Sequence, residues 1–486
     1  MQLSPAELFL EYWGTASQWS QNVALRVMRP SKEFARAVQD ALLIADGSES
    51  CAAIRDLVSS SEDGHEKGRL LTALLLIDRF FEVVHPRALY HSSMKARLPL
   101  LHWIRGLLHH RDAEGYFYKS DSHFLIPKGT LTRLSRAPFI TSGYSFSDSL
   151  CYLSVVPLFM KNDEQQVVVT PIKVSGSRIR GVGASLETIG SETVGIIPIA
   201  EAASHLDLKH TVRDGVNYID VCASKSIDVP ALVMSALSKF GQTDIVVSPE
   251  LLISEIDCDS ISSRMLATQP NVRMFVAGSG STIEQIDGQS WNESRVLNRR
   301  GVELWRQRKI WQAGLDPDRA AELGVSISAD AFLMEDNCAG EEVIVADVEG
   351  LGRCVVLICQ DLQMVPLTAD LIRYYQPDWV FTPILDWGAH AGRWTHQRAW
   401  DLSTISPARY VVASSTALAH KLGKELPSPA GLLVGPREQT GPDAGRLCSQ
   451  IYTDGSHPST GMVQWRVGTW HKSVIGTDGT LERIKR

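Results

Sequence analysis

The chain has 486 residues, a formal net charge of −7, 44% apolar and 21% charged residues, which is an ordinary globular composition with room for two or three domains. The acidic balance speaks against nucleic acid or an anionic membrane as a partner, and no run reaches the ~18 uncharged apolar residues that span a bilayer. Eight cysteines at 51, 151, 222, 258, 338, 354, 359 and 448 include no CxxC pair, which argues against a disulfide framework or a metal site and for a reducing, cytoplasmic compartment.

The N-terminal segment, MQLSPAELFLEYW, places acids early and no basic stretch ahead of an apolar one, unlike a secretory signal. Ser4-Pro5-Ala6-Glu7 has the form of a capping box with proline at the first helical position. From Ser31 to Ala45, Phe34, Val38 and Leu42 recur at four-residue spacing, and Gly47 reads as the stop. Lys67 to Val84 and Met94 to Leu108 predict two further helices. Within the first, Leu70 to Ile77 is apolar but bounded by Arg69, Asp78 and Arg79, so it reads as a buried helix. Residues 1–116 are therefore expected to form a helical domain.

Residues 117–190 change character. Val167 to Val174 is rich in β-branched residues and glycines recur at Gly176, Gly181 and Gly183, so a β-rich linking segment is expected. Gly181-Val182-Gly183 lacks the third glycine of a dinucleotide fingerprint.

From residue 191 to 486 strands and helices alternate, which argues for an α/β domain of packed layers. Predicted strands are Val194 to Ile199, Ile245 to Ser248, Asn271 to Gly278, Val343 to Val348, the run into Cys359, Trp379 to Thr382 and Tyr410 to Ser414. Predicted helices are Val229 to Phe240, one after Pro366, and Trp394 to Ile405. A turn at Asn298 to Gly301 suggests a hairpin across Ser294 to Arg308, and a polar stretch, Ala203 to Lys225, interrupts the order.

Three residues at strand ends could form a catalytic cluster: Glu250 after DIVVSPE, Lys309 after VELWRQRK and Cys359 after VVLIC. A cysteine at a strand-to-helix turn can lie in the positive field of a helix N-terminus, which favours thiolate. Taken singly, each has a plainer reading: a buried core cysteine, a carboxylate capping a helix that starts at Leu251, and a solvated lysine.

The ordered series of motifs resembles the nitrilase, or carbon–nitrogen hydrolase, superfamily over roughly Glu192 to Arg486. It comprises Pro249-Glu250 after an apolar strand, the glycine-bearing strand Val276 to Gly280, Asn292, the turn Asn298 to Gly301, and the basic run Arg306 to Lys309. Gly352 to Asp361 then matches a G-x-x-I-C-x-D-like motif, Gln376 to Pro383 a Pro-Asp turn and strand, and Trp394 to Asp401 a following helix. The spacings, 59 residues from 250 to 309 and 50 from 309 to 359, are family-like. Departures are Gln360, where many members carry a bulky residue, and the stretch Ala203 to Lys225.

The resemblance implies a four-layer-type αββα sandwich that often pairs into a homo-oligomer. It implies Cys359 as nucleophile, Glu250 as general base and acid, and Lys309 with the Gln360 N–H as oxyanion donors, with no metal or organic cofactor. It implies a further active-site glutamate, for which Glu335 is the nearest candidate, and a pocket loop at Asp386 and Trp387. Gln360, Asp386, Trp387 and Glu335 are accordingly the expected substrate-binding set. A tryptophan-rich core edge is the plainer account of the loop. His390 and His396 have no clustered ligands beside them, so no metal site is expected there.

The leading function is a thiol-dependent hydrolase of non-peptide C–N bonds, an amidase first, acting on a small amide or nitrile. A glutaminase or acyl-transfer role is the catalytic alternative. No phosphate-binding glycine loop points to a glutamine-dependent synthetase. From a different class, the chain could be an effector or interaction protein whose helical N-terminal domain docks a protein partner, with the hydrolase-like part a binding module.

Overall fold

The computed structural model describes residues 4–19, 30–60, 65–85, 101–129, 150–161, 165–179, 192–406, 408–424, 427–436, 446–453, 458–464, 472–475 and 481–484. It is a mixed α/β protein that divides into two units. The first comprises residues 1–158, 171–173 and 469–486, and the second 159–170 and 174–468. Among the described residues no helix is long and apolar enough to cross a membrane. All eight cysteines are free thiols.

The first unit is built on helices Pro5–Ser17, Lys32–Leu42, Gly47–Ser59, Glu66–Phe80 and His102–Glu114. The opening helix starts at Pro5 as expected, but the Ser4 side chain makes no capping bond; its carbonyl accepts from Glu7 N instead, at 2.9 Å. Ser31 does cap the next helix, and Phe34, Val38 and Leu42 are its buried face. Gly47 is not a stop. Asp46 accepts from Ser48 N and Glu49 N at 2.8 and 3.1 Å and so starts a new helix at Gly47. Of the expected helix Met94 to Leu108, residues 94–100 lie outside the described residues, and the helix found begins at His102. Phe9, Ile54, Leu74, Ile77, Phe81, Trp103 and Phe117 share one core, each such side chain stabilising by ~1.5–3 kcal/mol.

Strands β1 (Tyr118–Lys119), β2 (His123–Pro127) and β3 (Leu153–Pro157) form an antiparallel sheet in this unit. Buried Asp78 accepts the N–H groups of Cys151, Tyr152 and Leu153 at 2.7–2.9 Å, which ties the helix Glu66–Phe80 to the start of β3.

In the second unit the strands follow as β4 (Phe159–Lys161), β5 (Gln166–Val174, of which 171–173 count with the first unit), β6 (Thr193–Ile196), β7 (Leu206–Arg213), β8 (Val216–Ala223), β9 (Thr243–Val247), β10 (Val272–Val276), β11 (Gly280–Ile286), β12 (Gln289–Asn298) and β13 (Glu303–Arg308). Next come β14 (Gly314–Leu315), β15 (Leu333–Glu335), β16 (Glu342–Val348), β17 (Gly352–Val356), β18 (Trp379–Pro383), β19 (Arg409–Ala413), β20 (Gly431–Pro436), β21 (Arg446–Ile451) and β22 (Gly461–Gln464). A last hairpin, β23 (Lys472–Ile475) with β24 (Leu481–Ile484), belongs to the first unit.

Two large mixed sheets frame the second unit. One runs β11-β12-β10-β9-β6-β22, with β13 paired to β12; the other runs β21-β20-β19-β18-β17-β16-β5-β4. The inner strands β9, β10, β17, β18 and β19 are buried along nearly their whole length, as parallel neighbours covered on both faces must be. Val233 and Leu237 of the helix Val229–Lys239 pack with Ile261 and Met265 of the helix Glu255–Thr268 against Val246 and Phe275. The predicted hairpin is β12–β13, its turn closed by Asn298 Oδ1, which accepts from Arg300 N and Val302 N at 2.8 and 3.0 Å.

Two of the features that were not foreseen bear on the site. The helix Glu255–Thr268 lies where no helix was predicted, capped by Ser254. It also removes the reading of Glu250 as a helix cap, since no helix starts at Leu251. The polar stretch Ala203 to Lys225 is the hairpin β7–β8, which joins β15 and β14 in a separate four-stranded sheet.

Candidate active site

Glu250, Lys309 and Cys359 each follow a strand of the two large sheets, and in the fold they meet. Glu250 is held by its neighbours' backbone: Pro249 O accepts from Ser279 N at 3.1 Å, and Glu250 N donates to Ile384 O at 3.3 Å. This close approach requires Gly278, whose φ is +54; a Cβ there would lie 1.9 Å from Pro249 O. Lys309 is anchored by its own N–H to Asn292 O at 2.8 Å. Cys359 opens a four-residue 3-10 turn, Cys359–Leu362, with φ +47, a conformation that non-glycine residues hold only where the surroundings impose it.

Side chains join these three. Lys309 Nζ donates to Glu250 Oε1 at 2.7 Å and also to Glu335 Oε2. Asn292 Nδ2 donates to Glu250 Oε1 and to Glu335 Oε1, both at 3.1 Å. Leu385 N donates to Glu250 Oε2 at 3.0 Å, and the charges of Glu250, Lys309 and Glu335 all act on the Cys359 thiol. Glu250 and Lys309 are 2% and 1% exposed, so these charges interact with little screening.

Burial sets the direction of each titration. It pushes the Cys359 thiol well above the ordinary thiol value; the Glu250 carboxylate adds to this and Lys309 opposes it. The expected thiolate-favouring helix field is absent, because the helix proper, Leu367–Tyr375, begins only eight residues on (359 to 367). Glu250 itself is raised by burial against the pull of Lys309. For Lys309 burial works downward, but Glu250, Glu335 and Cys359 outweigh it and hold the ammonium charged.

Asp361 ties two parts of the site together. Its Oδ1 accepts from Ile310 N and Trp311 N at 3.0 Å, and its Oδ2 from Ile358 N at 3.1 Å. The segment after Lys309 is thus fixed to the residue before Cys359. Burial raises this carboxyl from 3.8 to about 7. The C-x-D spacing was the only sequence signal for that role.

Of the expected substrate-binding residues, Glu335 lies within the charged cluster. Gln360 is the second residue of the 3-10 turn, so its N–H is among those a helix start leaves without an intrahelical acceptor. Asp386 and Trp387 follow Leu385, the residue bonded to Glu250. Asp386 accepts from Arg393 at 2.7 and 2.9 Å, from Trp394 Nε1 at 2.9 Å and from Trp387 N at 2.7 Å. Trp387 lies under the Arg393 guanidinium, 3.6 Å from the ring centroid. The loop is therefore braced from within, and Asp386 is occupied by its own neighbours. Among the described residues no group of His, Cys, Asp and Glu could hold a metal ion.

No protein-family model and no curated protein sequence matches the chain. Among solved structures it is similar to Saccharomyces cerevisiae Nit3, a member of branch 10 of the nitrilase superfamily, at 13% identity over 57% of this chain and 90% of that one, with a TM-score of 0.38. It is similar to an amidase from Nesterenkonia sp. at 15% identity over 57% and 90%, with a TM-score of 0.33. It is also similar to a carbon–nitrogen hydrolase from Helicobacter pylori G27 at 15% identity over 51% and 82%, with a TM-score of 0.31.

Proposed function

We propose that the second unit is a thiol-dependent hydrolase of non-peptide carbon–nitrogen bonds of the nitrilase type, an amidase first, with Cys359, Glu250 and Lys309 as its catalytic residues. The observation that carries this is the convergence of all three: a half-buried thiol on which the charges of Glu250 and Lys309 both act, and a buried carboxylate 2.7 Å from a buried ammonium. A thiol raised above its ordinary value needs a base to react near neutrality, and Glu250 is the carboxylate whose charge acts on it most strongly.

The chemistry balances on these residues. As Cys359 Sγ bonds to the amide carbon, its proton passes to Glu250. The carbonyl oxygen becomes an oxyanion. Two of the three Lys309 N–H donors go to Glu250 and Glu335, and the third, with the Gln360 N–H, serves the oxyanion. Collapse breaks the C–N bond, and the nitrogen leaves with the proton from Glu250. Glu250 then takes a proton from water, whose oxygen adds to the thioester. Breaking the C–S bond releases the acid and returns the thiol its proton. The step needs neither metal nor organic cofactor.

Fixed charges also favour a neutral substrate: the cluster already holds two carboxylates beside one ammonium, so a substrate carrying its own carboxylate next to the reacting carbon would be repelled. We further propose the αββα layering and homo-oligomeric pairing for this unit; a light-scattering mass of one chain at micromolar concentration removes the pairing. Intact-mass spectrometry with a panel of small neutral amides tests the chemistry. The parent is expected to carry an acyl adduct that Cys359→Ala lacks. Equal masses for both proteins with every amide would remove the nucleophile.

A further inference from the structure

The hairpin β7–β8 is the part of the second unit that the hydrolase chemistry leaves unexplained. It is short of buried side chains: along β7 only Leu206 is buried and along β8 only Ile219. It nevertheless pairs with the strand that carries Glu335. The register sets Leu333 beside Asn217, Met334 beside Tyr218 and Glu335 beside Ile219. Directly after this ladder, Asp336 N donates to Ile219 O at 2.9 Å.

The tip of the hairpin reaches the same place. Asp214 and Gly215, with φ of +50 and +79, form the two-residue turn. The turn leaves Arg213 opposite Val216, and Arg213 folds back over the Tyr218 ring at 4.4 Å. Its Nη1 donates to Asp336 Oδ2 at 3.0 Å and its Nη2 to Oδ1. Gln289 Nε2 donates to Oδ1 at 3.1 Å. The fork-to-carboxylate match is two-pronged and fixes direction as well as distance. From the other edge, Glu335 N donates to Ala313 O at 2.9 Å, and Glu335 Oε2 accepts from Ala313 N at 3.0 Å. The Glu335 backbone is thus gripped on both sides while its carboxylate meets Lys309 and Asn292.

We propose that the hairpin Leu206–Ala223 is a positioning element of the active site, and that Arg213 and Asp336 are positioning residues which hold Glu335 against Lys309. This rests on the hydrolase reading of the site. A half-exposed ion pair elsewhere would contribute little. Here the partner carboxylate is the residue next to Glu335, and β15 is only three residues long, so the strand has few other bonds to fix it. An error of about 1 Å in such a group is costly to catalysis.

The test uses the full chain and iodoacetamide as the probe, following alkylation of Cys359 by peptide mass spectrometry from pH 6 to 10. Glu250, Lys309 and Glu335 are the charged groups on Cys359, and Glu335 raises its titration. E335Q is therefore expected to move the alkylation profile to lower pH. R213A and D336N are expected to move it the same way by a smaller amount, with R213K between R213A and the parent. R213A combined with E335Q should match E335Q alone, because an unheld group that is already neutral has no further effect. A merely structural pair would lower the melting temperature and leave the profile in place. If E335Q shifts the profile and both R213A and D336N leave it at the parent position, the positioning proposal is overturned alone. If E335Q itself leaves it unmoved, Glu335 does not act on Cys359 and the positioning proposal is overturned, while the hydrolase reading stands or falls separately on the acyl adduct that Cys359→Ala lacks.

Discussion

Leu385 N lies 3.0 Å from Glu250 Oε2, and this backbone bond gives the two oxygens of the carboxylate different tasks. Oε1 takes both side-chain donors, Lys309 Nζ and Asn292 Nδ2. Oε2 takes a single backbone donor, so its second lone pair is the one left to receive the Cys359 proton. Exchanging Glu250 for Gln removes the acceptor and sets an amide among donors. Glu250→Gln is expected to lower acyl-adduct formation by about 10²–10⁴-fold with the circular dichroism of the parent. Adduct formation within threefold of the parent would show that another group takes the proton.

The thiol gives a pH prediction with a definite sign. Burial and Glu250 raise Cys359, and Lys309 offsets only part of this. Without substrate, alkylation by iodoacetamide should therefore still climb beyond the ordinary thiol range of ~8.5. A plateau already reached at pH 6, as a preformed thiolate pair gives, would contradict this.

Asp361 links stability to pH in the opposite sense from a surface carboxylate. Its folded value of about 7 lies above the ordinary 3.8. Between these values the folded protein holds a proton that the unfolded chain releases, so the contribution of Asp361 to stability falls as pH rises through this window. Asp361→Asn keeps an acceptor for Ile310 and Trp311 but does not titrate. The urea midpoint of the parent minus that of the variant is expected to shrink from pH 4.5 to pH 7.5. A gap that widens over that range would refute the raised carboxyl.

The proposed trio was legible because each member sits where a strand stops, in a motif order that spacing could check. Glu335 was only a candidate, since the tie that identifies it is a contact with Lys309 and Asn292 across the fold. The hairpin β7–β8 was invisible to periodicity. Both of its strands are largely exposed or half-exposed on both faces, so no alternation of apolar and polar residues marked them. The helix Glu255–Thr268 buries just Cys258, Ile261 and Met265, too narrow a stripe to stand out, although Ser254 and Asp257 are spaced as a cap. The thiolate reading of Cys359 rested on a helix beginning close behind it; sequence shows the turn, but the helix proper begins only at Leu367.

Gly278 offers the sharpest test of how the base is placed. Its φ of +54 disfavours any side chain, and a Cβ would meet Pro249 O at 1.9 Å. Pro249 O also accepts from Ser279 N, so the strand after β10 and the residue before Glu250 lie backbone to backbone. Alanine at 278 must push Pro249 away, and Glu250 moves with it. The backbone strain alone costs about 1–3 kcal/mol, to be read as a lower melting temperature. The displacement of Glu250 should lower acyl-adduct formation at Cys359 even at temperatures where Gly278→Ala is fully folded. Gly423→Ala is the control, since Gly423 also has positive φ, +60, but open space around its Cβ position. It should share the strain and leave Pro249 in place. Equal adduct formation by Gly278→Ala and the parent would show that the close approach at Pro249 does not set the position of Glu250.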